Sequence, residues 1–255
     1  MELWTLFIRK FLKHLNKVKR LPYRGFHRDR FQVVSRGGIT YLLNYKNSID
    51  RQMLVDGGYE IAQLEILTSL IRKHACTEFY DVGANIGLYS LTVSKIPSIT
   101  VIQAFEPVPS NISQLNTNIW LNKKEDYIKV HAYGLSDEEN EVSFLENTGN
   151  STGRSRIKST NVNILNANQF IDTTIKVFRL DALNATKGKN IAIKIDAEGH
   201  ETQIINGMID FLKNNRCVLQ IETYSPDKLT ALMRSKGYIL LEAIDTDHYY
   251  SNILK

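Results

Sequence analysis

Three short runs in this 255-residue chain carry side chains able to hold a cofactor and to move a proton. In FYDVGANIGLYS (79–90) an apolar run ends at Asp81, glycines follow at Gly83 and Gly87, and helical spacing begins. Glycine at such points lets the backbone turn sharply and lets a ligand approach where a Cβ would stand. Glu106 closes the next apolar run, TVIQAFE. An acid there can accept hydrogen bonds from both ribose hydroxyls of an adenosine-containing cofactor. The third run, IKIDAEGHE (193–201), gathers Lys194, Asp196, Glu198, His200 and Glu201 at one strand end.

The spacing discriminates between cofactors. Gly83-Ala84-Asn85-Ile86-Gly87 is G-x-N-x-G, whereas a pyrophosphate needs the extra close-approach glycine of G-x-G-x-x-G and an open helix N-terminus. Asp81, aimed at the ligand, repels phosphate and pairs with an amino-acid ammonium group. The set Asp81, Gly83, Asn85, Gly87 and Glu106 therefore favours S-adenosylmethionine over NAD, and a dehydrogenase fails on the glycine spacing.

Methyl transfer from a sulfonium is an in-line displacement that depends on alignment, and a hydroxyl acceptor gains from a general base. Asp196 or His200 is expected as that base, Asp196 also bordering the cofactor, with Glu198 and Lys194 orienting or balancing charge. Glu222, ending a neighbouring strand, is expected to face the same cleft. Each has a structural alternative: Glu198 and Glu201 suit a helix N-terminus, and Lys194 suits a pairing with a nearby carboxylate. Asp196 and Glu198 offer a divalent metal no distinct third ligand, so no metal is expected.

These residues need a scaffold that delivers strand ends to one place. Strand-like runs at 79–83, 100–106, 128–135, 191–198 and 217–222 alternate with helical patterns at 87–95, 109–122 and 200–214. A helix over 226–236 and strands at 238–244 and 248–254 close the chain. Strands buried on both faces and alternating with helices indicate a mostly parallel, seven-stranded α/β sheet of Rossmann-like type with helices on both faces. Upstream, 31–34 and 39–45 read as a hairpin turning at Gly37-Gly38. Residues 59–73 read as a helix burying Ile61, Leu64, Ile66, Leu67 and Leu70. The stretch 137–190 is too long for one crossover; VSFLEN and TTIKVFRL within it suggest added strands on the substrate side. Two parts are expected, a segment 1–30 and a domain 31–255.

The formal charge of +5 describes the first part rather than the second. Residues 1–30 hold nine basic side chains against Glu2 and Asp29, for +7, which leaves −2 on residues 31–255. Leu3, Trp4, Phe7, Ile8, Phe11, Leu12, Leu15 and Val18 form one helical face, so residues 3–18 suit an amphipathic helix. It fits peripheral contact with an anionic membrane through residues 1–20, or packing on the domain or in a dimer. No apolar run is long enough to span a bilayer, no signal-peptide pattern is present, and Cys76 and Cys217 fit no metal spacing. A cytoplasmic location, with membrane contact at its inner face as the variant, is expected. The slightly acidic remainder and the absence of an Asn/Asp-Pro-Pro-aromatic motif argue against a nucleic-acid partner.

With DVGANIG (81–87), FEPVPSN (105–111), YGLSD (133–137) and IKIDAEGHE (193–201), flanked by GGYE (57–60) and QIE (220–222), the chain resembles the FkbM-type methyltransferases. The pieces run in family order across roughly residues 50–225. The resemblance implies a class I methyltransferase fold, S-adenosylmethionine as donor, and oxygen methylation of a sugar in a glycan, glycolipid or natural product. It extends the cofactor-binding set to Ala84, Pro107, Ser136 and Asp137. The competing readings are a nucleic-acid ribose methyltransferase on the same fold and a non-catalytic S-adenosylmethionine-binding protein.

Overall fold

The computed structural model describes residues 31–147, 155–157, 170–183 and 186–253. The expected N-terminal amphipathic helix and most of the polar stretch after VSFLEN lie outside them. Chain contacts divide the molecule between Tyr59 and Glu60.

In the first unit, β1 (Phe31–Arg36) and β2 (Ile39–Asn44) form the expected antiparallel hairpin, with Arg36 opposite Ile39 across the glycine turn. A helix that apolar periodicity did not signal, α1 (Ser48–Asp56), follows it. It buries only Met53 and Leu54 among its apolar residues, and local chemistry starts it: the Asn47 side chain caps the Ile49 N–H. Buried Asp50 accepts from the Asn44 N–H at 2.6 Å, tying helix to hairpin.

The second unit opens with α2 (Ile61–Lys73), which turns Leu67 and Ile71 fully inward. Ile61, expected in the core, is 58% exposed, because the helix meets the core with its second half. Thereafter come β3 (Glu78–Val82), α3 (Leu88–Val93), β4 (Val101–Phe105), α4 (Pro109–Leu121) and β5 (Ile128–His131). After an added sheet, the alternation resumes with β10 (Asn190–Ile195), α5 (Glu201–Asn206), α6 (Ile209–Asn214) and β11 (Arg216–Glu222). Then α7 (Pro226–Ser235) leads to the closing hairpin β12 (Ile239–Ile244) and β13 (Asp247–Ser251). The main sheet has seven strands in the order β12-β13-β11-β10-β3-β4-β5. Five are parallel; β13 runs antiparallel to β11, and β12 antiparallel to β13. The chain winds from β3 outward to β5, then returns to lay β10 on the other side of β3. That reversal is a topological switch point, where α/β sheets open a crevice at the strands' carboxyl ends.

Two expected elements divide. The strand-like run 128–135 is not one strand: β5 stops at His131, and Gly134–Leu135 (β6) belongs to a second sheet ordered β6-β9-β7-β8, with β7 (Asn140–Asn147), β8 (Arg156–Ile157) and β9 (Phe170–Phe178). Ile128 is buried at one end of the run and Leu135 at the other, so the strand-like pattern continues while the partner changes. The helical run 200–214 breaks at Gly207-Met208 into α5 and α6. The chain approaches Ser136 so closely there that a Cβ on Gly207 would stand 1.8 Å from the Ser136 carbonyl oxygen. The Asp181 carboxylate restarts the second helix by accepting from the N–H groups of Asp210 and Phe211.

Candidate active site

At the carboxyl end of β3 the chain turns through Gly83 (φ +83°), Asn85 (φ +50°) and Gly87 (φ +89°), all left-handed. The glycines are needed for the turn, but the space above them is taken by protein rather than left for a ligand. A Cβ on Gly83 would lie 1.9 Å from the carbonyl oxygen of Asp196, and one on Gly87 would lie 2.6 Å from Leu115 Cδ1. Gly83 thus lets the ends of β3 and β10 touch at the switch point. The N–H groups of Gly83 and Ala84 both donate to Phe105 O at 3.0 Å, holding the turn against β4.

Asp81 is fully buried one residue before the end of β3. Its Oδ2 accepts from the Ser90 N–H at 3.0 Å and from Ser90 Oγ at 2.6 Å, while Oδ1 has no hydrogen-bond partner. Burial raises its pKa, opposed by the Lys194 ammonium and the Ser90 donors. Glu106 stands just beyond β4, 4% exposed. Its Oε2 accepts from the Asn85 N–H at 2.8 Å; its Oε1 accepts from the Val108 N–H at 2.9 Å and from Asn111 Nδ2 at 3.3 Å. Burial pushes its pKa up to about 7 against those donors. Asn85 Oδ1 is buried without a partner.

The end of β10 supplies the other group. Lys194, 5% exposed, extends Nζ to Asp196 Oδ2 at 3.0 Å and over the Tyr89 ring at 4.5 Å. Burial alone would lower the Lys194 pKa; the carboxylates of Asp196, Glu60 and Asp81 outweigh it and hold the ammonium above its usual range. Burial, followed by the charge of Asp196, moves the Glu222 pKa up to about 8. Glu198 (φ +50°) and Gly199 (φ +102°) then make a tight turn that delivers His200 to the cap of α5. Glu201 closes that turn by accepting from the Gly199 N–H at 2.8 Å. His200 Nε2 lies 2.9 Å from Ser136 Oγ, and burial lowers its pKa, the Asp137 charge opposing.

A narrow cleft, with a cavity volume of about 80 Å³, runs between the two strand ends. Of the residues expected at the site, Gly83, Asn85, Glu106, Pro107, Asp196, Glu198 and His200 line it. Asp81, Ala84, Gly87, Lys194, Ser136 and Asp137 do not line it; they stand behind it as the partners just described. The opposite wall was not foreseen: Val108, Phe144, Ile157 and Ile175 make it apolar, and the last three come from the second sheet. Nor was the buried network behind Lys194, in which the Tyr89 hydroxyl donates to Glu60 Oε2 at 2.9 Å and Gln220 Nε2 reaches Tyr89 at 2.8 Å and Asp247 at 2.7 Å. A polar Gln220 inside an otherwise apolar strand was the available signal. Among the described residues, no three His, Cys, Asp or Glu side chains converge as a metal site.

The strand order, the glycine turn at the switch point and the acid ending β4 together define a Rossmann-like fold of the class I methyltransferase type. The chain belongs to the FkbM methyltransferase family: the family's methyltransferase domain matches residues 81–240. A hexuronic acid methyltransferase of Haloferax volcanii, AglP, is 26% identical over 158 residues, which cover 60% of this chain and 60% of that protein. Methyltransferase 1 of Beauveria bassiana is 26% identical over 210 residues, or 74% of this chain and 80% of its own length. The crystal structure of an FkbM methyltransferase from Methylobacillus flagellatus shares the fold at a TM-score of 0.50 and 19% identity, over 69% of this chain and 44% of that one. The chain thus matches under two thirds of the Haloferax and Methylobacillus proteins. Among the described residues, no helix is long and apolar enough to cross a membrane.

Proposed function

We propose that the chain transfers a methyl group from S-adenosylmethionine to a hydroxyl oxygen of a sugar or sugar-like acceptor. One observation carries this: Glu106, at the end of β4, and Asp196 and His200, at the end of β10, line the same cleft at the switch point. An adenosine-binding acid and a base therefore border one space.

The residues present suit the donor. Glu106 accepts two backbone N–H bonds yet keeps lone pairs for the ribose hydroxyls. Asn85, which lines the cleft, has its Oδ1 buried without a partner, a costly condition that a donor on a bound ligand would relieve. The apolar wall of Val108, Phe144, Ile157 and Ile175 suits a purine face. When bound, the cofactor supplies an electrophilic methyl on a sulfonium.

His200 is the better base of the two expected. Asp196 Oδ2 is engaged by the Lys194 ammonium at 3.0 Å. The imidazole borders the cleft, is kept neutral by burial, and has only its Nε2 engaged. In this reading Lys194 holds Asp196 in place, and Glu198 forms the turn that aims His200. The Haloferax relative is named for a hexuronic acid, which favours a saccharide acceptor. Calorimetry with S-adenosylmethionine, S-adenosylhomocysteine and NAD tests the first half: the two sulfur cofactors bind and NAD does not. NAD binding in their stead would end the proposal.

A further inference from the structure

We propose that Ser136 and Asp137 are positioning residues that fix His200 as its Nε2–H tautomer, which leaves the Nδ1 lone pair for the acceptor hydroxyl. The inference rests on the reading of His200 as the base. Its ground is a count of protons along a chain of contacts. A serine hydroxyl has one proton to give, and Ser136 Oγ donates it to Asp137 Oδ1 at 3.1 Å. The 2.9 Å contact between Ser136 Oγ and His200 Nε2 must then run the other way, with Nε2–H donating. A neutral imidazole carries one N–H, so Nδ1 is left as the acceptor.

The fold holds this chain rigidly at its middle member. Ser136 is 5% exposed and its N–H donates to Phe178 O at 2.9 Å. Its carbonyl packs so closely on Gly207, the glycine that breaks the helical run after His200, that no Cβ would fit there. Gly207 O in turn accepts from the Asp181 N–H at 3.1 Å. The device that splits α5 from α6 is therefore the one that brings Ser136 to the imidazole.

In the reaction the acceptor hydroxyl gives its proton to Nδ1 as its oxygen bonds to the methyl, and the departing sulfur keeps the electron pair of the broken bond. The resulting imidazolium carries N–H on both nitrogens, one directed through Ser136 toward the Asp137 carboxylate. Asp137 is thus placed to stabilise the charge that develops, as a buried acid does behind a catalytic histidine. The other charged groups near the ring are Asp196, Glu198 and Glu201 on its own loop and helix, with Glu106 across the cleft.

Nitrogen-15 NMR of histidine-labelled protein tests this without any acceptor, with His200→Gln identifying the signals of that ring. The wild type should show a protonated Nε2 and a bare Nδ1 at neutral pH; a protonated Nδ1 overturns the proposal. Ser136→Ala should let the two tautomers mix, and Ser136→Thr should restore the single one. Asp137→Asn removes a charge that raises the His200 pKa, so the imidazole titration should move to lower pH; an unmoved titration contradicts the role of Asp137. On an active acceptor, Ser136→Ala should lose about tenfold in turnover, a fraction of the roughly 10²–10⁴ that a general base contributes, with S-adenosylmethionine affinity kept. A wild type with the assigned tautomer but no methyl transfer to any hydroxyl would count against the proposed function and leave the relay standing.

Discussion

The backbone N–H of Asn85 meets Glu106 Oε2 at 2.8 Å, so the glycine turn after β3 and the acid after β4 are one hydrogen-bonded unit. A change at Glu106 therefore acts on the cofactor and on the turn together. Glu106→Ala should lose two charge-assisted bonds to the ribose, each worth about 1.5–3 kcal/mol, and should also leave the Asn85 and Val108 N–H groups without their acceptor. Calorimetric titration with S-adenosylmethionine and a urea melt would separate the two losses. Unchanged cofactor affinity would remove Glu106 from the site.

Cofactor affinity should also depend on pH through this residue. Burial raises Glu106 from 4.5 to about 7. A raised carboxyl contributes stability below pH 4.5 and loses it as pH rises through about 7, since the folded state holds the proton more tightly. Ribose binding runs in the opposite sense, because the ionised carboxylate is the better acceptor. Affinity should fall as pH drops from 8 to 6, and a flat profile over that interval would contradict the assignment.

Gly83→Ala should unfold the switch point rather than merely block a ligand. The new Cβ meets the Asp196 carbonyl at 1.9 Å in a left-handed backbone. Strain of about 1–2 kcal/mol from the backbone and about 1–3 from overpacking give a loss of about 2–5 kcal/mol in urea melts. Gly188→Ala is the control: its φ is +70° but nothing lies within 4 Å, so only the backbone part should be lost. Equal losses in the two variants would show that the contact with Asp196 is unimportant.

Lys194→Met should cost about 3–5 kcal/mol, since removing one partner leaves buried carboxylates uncompensated. Its ammonium, with a pKa held above the usual value, contributes stability through the neutral range and loses it only as strongly alkaline pH is reached. In the variant, Asp81 and Glu222 lose the cation that lowers their pKa values and take up protons more readily, so the deficit should shrink toward acid pH. Lys194→Met combined with Asp196→Asn should recover part of the loss at neutral pH. A double variant as unstable as the sum of the singles would show that the two residues do not act as a pair.

The fold was legible because its signals are local and repeat: buried strands, amphipathic helices and a turn whose glycines must be left-handed. What could not be read was where partners change. The run from Ile128 to Leu135 keeps a strand-like pattern while it leaves one sheet for another, and such a pattern records burial, not the identity of the neighbour. The break at Gly207 has the same origin, because its cause is Ser136, distant in sequence. At the site, the acids and the histidine were visible as residue types at strand ends. Their division into those that line the cleft and those that stand behind it was not, since Lys194 and Asp196 are adjacent on opposite sides of that boundary. The wall formed by Phe144, Ile157 and Ile175 comes from strands whose alternation marks them as half-buried without saying against what.

His200 and Asp196 should separate in their effects on turnover. His200→Gln should cost about 10²–10⁴-fold, the usual worth of a general base, with donor binding retained. Because burial lowers the His200 pKa, wild-type activity should persist to pH values below the ordinary 6.5 of histidine before falling. Asp196→Asn, which disturbs the Lys194 pair, should show its loss in stability as well as in rate. A His200→Gln enzyme with full activity on a verified acceptor would return the base to Asp196 or leave positioning alone to drive the reaction.

The most direct measurement is the fate of an isotopically labelled donor methyl. S-adenosylmethionine carrying a carbon-13 methyl is incubated with the chain and a panel of saccharides that includes uronic acids, and the product is read by NMR before and after mild base. The label should appear on a saccharide as a base-stable methyl ether, at a rate that His200→Gln lowers about 10²–10⁴-fold. A base-labile methyl ester, a label on nitrogen, or a label that never leaves the donor across the panel would contradict methyl transfer to a sugar hydroxyl.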